Sequence, residues 1–193
     1  AAVSPAEFVN KNRQFLLAKA NILRENGLEG AFMGYEPNFL PAAFFNAYPS
    51  MLGSRVDHPR RSTQKEFSPC VSVKETREMY AWMMAEMLKV APEITSFSFK
   101  TNDAGAGICW AHWLYTGANG PSACKGLNMG ERVRLLMNAY KAGADKAGRE
   151  LSIYMDEGAS NFSEEEKRDI EKYLPLNCYF RSTDNRGIQN IGG

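Results

Sequence analysis

The sequence predicts an α/β fold, a partial (β/α)8 barrel of about four βα units in which parallel strands alternate with helices. Helical and strand-like patterns alternate along the 193 residues in the order αβαβαβαβ, which is typical of a parallel sheet with right-handed crossovers. Long, polar segments follow the strands and short ones precede them, which favours a barrel over a doubly wound sheet. A full barrel needs about 250 residues. We therefore expect residues 1–193 to be a single domain and a segment of a larger barrel.

The chain begins with an amphipathic helix, predicted from Pro5 to about Glu25 with Ser4 as its N-cap. The first strand, Gly30 to Gly34, is short, apolar and bounded by glycines, as buried parallel strands are. We expect Phe32 and Met33 of this strand to lie in the core. One stripe of the helix is expected to pack there as well: Phe8, Val9, Phe15, Leu16, Ile22 and Leu23.

Residues 37–70 form a long connection, which we interpret as an ordered loop over the barrel mouth with a short helix at 41–47. The second long helix is predicted from Val73 to about Val90, with Ser72 and Glu75 as its capping box. Its buried face is expected to consist of Met79, Trp82, Met83, Met87 and Val90.

The second strand is predicted from about Thr95 to Thr101. Strand alternation directs Phe97 and Phe99 towards the helices, and Ser96, Ser98 and Lys100 towards the barrel interior. A second long connection, 104–127, follows.

Two further βα steps complete the chain. Asn128 is the predicted cap of a helix that ends at Gly148 and buries Val133, Leu136, Met137, Tyr140 and Ala144. The third strand is predicted at 151–155, the fourth helix begins at Ser163 and reaches Leu174, and the fourth strand is predicted at 177–180.

Charge and composition limit the function classes. The net charge is +1, with 23 basic and 22 acidic residues interspersed, so we expect no nucleic-acid partner. No apolar run is long enough to span a bilayer, and we expect no membrane partner. Neither glycine-rich nucleotide motif follows a strand, so no cofactor is predicted. No signal peptide is visible in the given sequence; the compartment stays open, with a periplasmic or secreted location favoured.

The cysteines do not predict a metal site. Four cysteines show no CxxC spacing and the chain has two histidines, so we expect no bound metal. Cys109 and Cys124 bracket one loop, and two interpretations stay open: a disulfide in an oxidising compartment, or partly buried thiols.

All four strands end in polar residues. Asn102 and Asp103 follow the second strand, and they are either a simple turn or part of a shared mouth. The ends of the other strands favour the shared mouth, because each carries a polar side chain: Glu36, Asp156, Glu157 and Arg181.

One series of segments consists of Gly34–Pro37, Arg55–Arg61, Phe67–Cys70, Phe97–Gly107, Leu114–Tyr115, Gly117 and Asn119–Pro121. This series resembles a group of bacterial glycoside-hydrolase-like barrels that are distantly similar to family 20 hexosaminidases and α-glucuronidases. The resemblance covers roughly residues 25–157, and it implies a (β/α)8 barrel and a carbohydrate substrate. The hexosaminidases end one strand in an Asp-Glu pair where this chain has Asn102-Asp103, a departure from their substrate-assisted mechanism.

Glycoside hydrolysis needs two carboxyl groups across the scissile bond, one as a proton donor and one ionised. We expect Asp103 to be the general acid/base, and its partner to be Glu36, Asp156 or Glu157. Asn102 would bind a sugar hydroxyl or orient Asp103. Further binding candidates are the aromatic residues Tyr35, Trp110, Trp113 and Tyr115, which also fit a core, and the polar residues His58, Arg60, His112 and Arg181.

Two alternatives come from other classes. The first is a non-catalytic glycan-binding barrel that lacks the second carboxylate. The second is a sugar-acid lyase or isomerase in which Arg60 and Arg181 grip the substrate carboxylate. In each case the expected partners are a carbohydrate and the remainder of the barrel, from the same longer chain or from another copy.

Overall fold

The computed structural model describes residues 4–35, 40–56, 63–100, 108, 122–124, 126–157 and 162–182. Short 3-10 turns lie at Pro49–Met51 and Ser122–Cys124. In chain order the helices and strands are α1 (Pro5–Glu25), β1 (Gly30–Tyr35), β2 (Leu40–Pro41), α2 (Ala42–Ala47), β3 (Leu52–Arg55), β4 (Glu66–Pro69), α3 (Lys74–Val90), β5 (Ile94–Lys100), α4 (Met129–Lys146), β6 (Ser152–Asp156), α5 (Glu164–Tyr173) and β7 (Cys178–Arg181).

The main sheet has four parallel strands in the order β1-β5-β6-β7. The strands follow one another in space as they do along the chain, whereas a doubly wound sheet reverses its order at a switch point. The predicted alternation of helices and parallel strands is thus confirmed, and its order is that of a barrel segment. Within the described residues β1 and β7 are the two edges, so the barrel is not closed.

Register brings the carboxyl ends of the strands level. The last aligned row runs across the whole sheet through Tyr35, Lys100, Asp156 and Arg181. Since successive strand residues alternate between faces, Asp156 and Arg181 of this row lie on the face opposite the helices, and the next row down points into the core. That lower row contains Phe99, Met155 and Phe180, which are all buried.

The core lies between the sheet and a single layer of helices. Strand side chains such as Phe99 and Ile153 pack against Leu136 and Met137 of α4, and all four are fully buried. Phe97 and Phe99 both contact the ring of Tyr140, which confirms that they point towards the helices. The buried face predicted for α4 is confirmed in full.

Two glycines bring α4 close to its neighbours on both sides. A Cβ atom at Gly143 would lie 2.4 Å from the Ala81 carbonyl oxygen on α3, and one at Gly130 would lie 1.9 Å from the Asp169 carbonyl oxygen on α5. Any larger residue at either position would have to push a backbone aside. Helices α3, α4 and α5 therefore pack at minimal separation.

Local signals set the starts of α4 and α5. Asn128 accepts a hydrogen bond from the Glu131 amide, and the Glu131 side chain accepts one from the Asn128 amide. Ser163 and Glu166 form the same reciprocal pair at α5. Each capping box satisfies two amides that the helix itself leaves without partners. Both predicted starts are confirmed.

The predictions for α3 need two corrections. Ser72 does not cap the helix: the N-cap is Val73, which has no side-chain cap, because Ser72 lies one residue too early. The prediction of the buried face of α3 was also wrong in part, since Trp82 is 61% exposed and Met83 is also exposed. The side turned inwards carries the small residues that allow α4 to approach; it consists of Thr76, Tyr80, Ala81, Met84, Ala85 and Leu88.

The apolar stripe predicted for α1 is buried only in part, through Leu16 and Leu23. Ala20 is the buried residue of this helix, and Phe8, Phe15 and Ile22 are exposed.

The two residues of β1 that were expected in the core are also exposed: Met33 is 72% exposed, and Phe32 is 37% exposed with its ring stacked on that of Phe97. Met33 is in register with Ser98 on the open face of the sheet, which no described element covers. The exposed side chains of α1 lie beside β1, which is an edge strand of the described sheet.

The connection after β1 contains more structure than the predicted loop. The short helix near 41–47 is confirmed as α2, but β2, β4 and β3 also form an antiparallel sheet in that order. Phe45 is buried there, with its ring against Phe67 of β4. These strands have two to four residues each, too short for an alternating pattern to show in the sequence.

Candidate functional site

A cluster of three polar side chains lies on the open face of the sheet, near the carboxyl ends of three neighbouring strands. Ser98 comes from β5, Asp156 from β6 and Arg181 from β7. Asp156 and Arg181 are paired across the two strands, and Ser98 lies diagonally below Asp156. Strand alternation places all three on the face opposite the helices. Each strand therefore contributes one group to one site.

The three side chains are joined by hydrogen bonds. Arg181 donates from Nε to one Asp156 oxygen and from Nη2 to the other, the second at 2.9 Å. The Ser98 hydroxyl donates to Asp156 Oδ2 at 2.9 Å and accepts from Arg181 Nη2 at 2.8 Å. Asp156 thus accepts on both oxygens, the arrangement of an ionised carboxylate held by a two-pronged guanidinium. Its side chain is 23% exposed, so one side of the group remains open.

Two tyrosines lie directly below this cluster. The rings of Tyr154 and Tyr179 stack across β6 and β7 with their centroids 4.9 Å apart. The guanidinium carbon of Arg181 lies 5.0 Å from the centre of the Tyr154 ring. This cation–π contact restricts the guanidinium from below while Asp156 holds it at its edge. The position of Arg181 is therefore determined from two directions.

Glu157, the residue after Asp156, is directed to the other side of the sheet. Its carboxylate is almost fully buried; Lys167 of α5 lies 3.6 Å from one oxygen, and the Ser182 hydroxyl donates to the other at 2.7 Å. Its amide donates to the Arg181 carbonyl oxygen. Glu157 therefore ties the end of β6 to β7 and α5, away from the face that carries Asp156.

The structure brings together two of the predicted site residues, Asp156 and Arg181, and places Glu157 behind them. For Tyr35 it describes the main chain at the end of β1, paired with Lys100. The other predicted site residues lie outside the described part of the chain: Glu36, His58, Arg60, Asn102, Asp103, Trp110, His112, Trp113 and Tyr115.

Sequence reasoning placed Ser98 on the interior face but did not include it among the site residues. The sequence did indicate that Ser98 could belong to the site, because a serine two residues before a polar strand end lies on the same face as that end. The stacked pair of Tyr154 and Tyr179 had the same signal. Lys167 and Ser182 had none, since their contacts with Glu157 depend on how α5 and β7 pack.

The described cysteines are thiols. Cys124, one half of the disulfide considered above, is not disulfide-bonded. Cys178 is buried on β7, and burial raises the pKa of its thiol to about 11, while the nearby charge of Lys141 lowers it by less. Within the described part of the chain, no group of three or more His, Cys, Asp and Glu side chains could hold a metal ion.

Comparisons with known proteins give structural likenesses only. No protein-family model and no curated protein matches the sequence. Several solved structures are similar. A variant of the GH36 α-galactosidase AgaA from Geobacillus stearothermophilus, in complex with stachyose, has a TM-score of 0.45 and 14% identity over 87% of this chain. AgaA itself has a TM-score of 0.39 and 12% identity over 90% of this chain. The α-galactosidase of Lactobacillus brevis has a TM-score of 0.38 and 12% identity over 86% of this chain.

This chain spans about a fifth of the length of these enzymes: the likeness covers 21%, 27% and 18% of the three chains in the order given. All three are α-galactosidases, a different group from the hexosaminidases and α-glucuronidases expected from the sequence, and the comparisons do not support that expectation. Every helix in the described part of the chain is too short or too polar to cross a lipid bilayer.

Proposed function

We propose that this chain is the substrate-binding segment of a carbohydrate-active hydrolase, with Asp156 as the ionised carboxylate of its site. The observation that carries the proposal is the cluster of Asp156, Arg181 and Ser98 on the open face of the sheet. A glycosidase needs one carboxylate that stays charged as nucleophile, base or stabiliser of the oxocarbenium-like transition state. A carboxylate that accepts from a guanidinium and a hydroxyl on its two oxygens suits that role.

The second carboxyl group is proposed to be Asp103, acting as general acid/base. Lys100 aligns with Asp156 in the sheet register, and Asp103 follows Lys100 by three residues in the sequence. Neighbouring strands are about 4.8 Å apart, while glycosidases hold their two carboxyl groups roughly 5 to 9.5 Å apart. Adjacent strand ends therefore suit the pair. Glu36 follows β1, one strand further away, and is the alternative partner.

A sugar-acid lyase or isomerase is less well supported by the geometry. That chemistry would use Arg181 to bind the carboxylate of a substrate. Arg181 already donates three hydrogen bonds, two to Asp156 and one to Ser98. A substrate carboxylate would have to displace Asp156 from the guanidinium, and the displaced carboxylate would lose its cationic partner.

The test is an assay of the complete gene product against a panel of aryl glycosides and aryl uronides. Asp156→Asn is expected to lower kcat by about a hundredfold or more on any substrate that the parent cleaves, because it removes the charge that faces the developing cation. Asp103→Asn is expected to lower kcat too and to change the pH profile, since it removes the proton donor.

Asp145→Asn is the matched control, because it makes the same chemical change on the exposed side of α4. It is expected to leave kcat unchanged. Thermal unfolding of each variant shows whether a loss of activity is merely a loss of fold. If the parent cleaves none of the panel, or if Asp156→Asn folds and retains full kcat, the hydrolase role of Asp156 is wrong.

A further inference from the structure

Cys70 and Cys124, which are far apart in the sequence, pack against each other in the structure. They form a small buried cluster of their own, outside the main core, with Val73 and Leu127 packed against it. Cys70 is 0% exposed and Cys124 is 2% exposed. A cysteine side chain consists of Cβ and Sγ alone, and apolar side chains in contact approach within about 4 to 4.5 Å. Because a disulfide joins β-carbons roughly 3.5 to 4.5 Å apart, this contact brings the two thiols close to bonding geometry.

Main-chain hydrogen bonds hold Cys70 at the start of α3. Cys70 directly follows β4. Its amide donates to the carbonyl oxygen of Met51, just before β3, at 2.9 Å. Its own carbonyl oxygen accepts from the amide of Val73, the N-cap of α3, at 3.0 Å. Cys70 is therefore attached both to the small antiparallel sheet and to the helix.

Cys124 is held in a similar way at the start of α4. It is the last residue of a 3-10 turn, and its carbonyl oxygen accepts from the Leu127 amide at 3.1 Å and from Arg132 Nη2 at 2.9 Å. Arg132, near the start of α4, also donates from Nε to the Leu127 carbonyl oxygen at 3.2 Å. The main chain thus fixes each cysteine at one helix start, and the two side chains meet between the helices.

The pair lies at the end of the sheet that carries the candidate site. In a βα unit the helix begins at the end of the layer where the preceding strand finishes. Helix α3 comes between β1 and β5, and α4 between β5 and β6. Both helix starts therefore lie at the end marked by Asp156 and Arg181. Through its two cysteines, the cluster brings the connection 37–70 into contact with the connection 104–127.

We propose that Cys70 and Cys124 are a redox pair, and that their oxidation to a disulfide crosslinks these two connections in an oxidising compartment. The bond requires little movement of the folded chain, because the side chains are already in contact. The inference concerns the walls beside the sheet end, and it is independent of the chemistry proposed for Asp156.

The oxidant is a low-molecular-weight disulfide such as oxidised glutathione. The thiolate of one cysteine attacks it, which forms a mixed disulfide and releases one reduced glutathione. The other cysteine then attacks the mixed disulfide, forms the Cys70–Cys124 bond and releases the second reduced glutathione. The two protein thiols thereby lose two electrons and two protons, which one oxidised glutathione takes up. Since both thiols are buried, the first step takes place during folding or when the connections open locally.

The other two cysteines differ in position. Cys178 belongs to the main core, away from the cluster of Cys70 and Cys124. Cys109 lies outside the described residues. Its pairing with Cys124, which the sequence left open, is the competing result of the test.

The test maps disulfides in the complete gene product after refolding from urea, either in a buffer with excess oxidised glutathione or in dithiothreitol. Unfolding first gives the oxidant access to every thiol, so the folded geometry selects the pair. Remaining thiols are blocked in acid, and the proteins are digested without reduction and examined by mass spectrometry. Cys109→Ser and Cys124→Ser are the matched variants, and the mapping of the parent does not depend on how either variant folds.

We expect a peptide that joins Cys70 to Cys124 in the oxidised parent and in oxidised Cys109→Ser. The oxidised forms of both proteins are expected to have a Tm about 5 to 10 °C above the reduced forms, because the crosslink restricts the unfolded chain. Cys124→Ser is expected to lose this difference. The proposal is overturned if the oxidised parent contains no peptide that joins Cys70 to Cys124, or if Cys124 is joined mainly to Cys109.

Discussion

Replacing Lys167 by methionine tests whether the buried pair behind the site holds the sheet together. The Glu157 side chain is 3% exposed and that of Lys167 13%. Removing one partner of a buried ion pair costs roughly 3 to 5 kcal/mol, because the remaining charge stays in a poorly hydrated place. Two features reduce this cost: the 3.6 Å separation of the pair and the hydrogen bond from Ser182 to Glu157. We therefore expect Lys167→Met to lower the free energy of unfolding by about 3 kcal/mol, the lower end of that range.

Lys167 also pairs with Glu164 at 3.1 Å, and the Glu164 side chain is 73% exposed. An exposed pair contributes about 0.2 to 1 kcal/mol, so Glu164→Gln is the control that removes this second contact alone. Both variants are measured by urea unfolding, followed by circular dichroism and linear extrapolation. In thermal unfolding, Lys167→Met is expected to lower Tm by about 6 to 12 °C for a chain of this size.

The reasoning is refuted if Lys167→Met and Glu164→Gln have the same free energy of unfolding. Glu157→Gln adds the functional side of the question. If Glu157 acts behind the site as a structural group, this variant lowers stability and leaves the pH profile of hydrolysis unchanged. A changed pH profile in a stably folded Glu157→Gln protein would return this residue to the catalytic pair.

Two more outcomes follow from packing and ionisation. Gly143→Ala is expected to lower the free energy of unfolding by about 1 to 3 kcal/mol in urea titrations, because its methyl group would lie 2.4 Å from the Ala81 carbonyl oxygen; an unchanged or higher value would refute the close contact. Cys178 has a pKa of about 11 in the folded chain against 9.0 for the ordinary thiol. The unfolded state releases this proton first as pH rises, so stability is complete below pH 9 and is expected to fall by up to about 1.4 kcal/mol per pH unit between pH 9 and 11. Cys178→Ala should lose that part of the pH dependence, and an identical slope in both proteins would contradict it.

The parts of the fold that depend on local signals could be predicted from the sequence. The capping boxes that begin at Asn128 and Ser163 set two helix starts, and the buried face of α4 follows the helical period. Both are decided within a few residues of the chain.

The parts that depend on neighbours could not. Trp82 and Met84 carry equal apolar weight in the sequence, and the approach of α4 through Gly143 decides which of them is buried. Three apolar residues of α1 have the spacing of a core face in the sequence and are exposed in the structure: Phe8, Phe15 and Ile22. The local sequence pattern shows that a side chain is apolar, but it does not show whether another element packs against it.

Part of the candidate site could also be predicted from the sequence, and part could not. Polar strand ends identified Asp156 and Arg181, since register aligns the ends of parallel strands. The opposite directions of the Asp156 and Glu157 side chains were not predicted. Adjacent residues point to opposite faces, and which face lies against α5 is known only from the packing of Lys167.

The glycines of α4 make one end of the helix layer closely packed, while the other end, at α1, is packed less closely. Gly143 and Gly130 lock α3, α4 and α5 at contact distance, whereas α1 is attached through Ala20 and a few partly buried neighbours. Asp156 and Arg181 lie on strands β6 and β7, over the helices that are packed at contact distance. The side chains of Asp156 and Arg181 are therefore supported by the most closely packed part of the layer, as a site that needs fixed geometry requires.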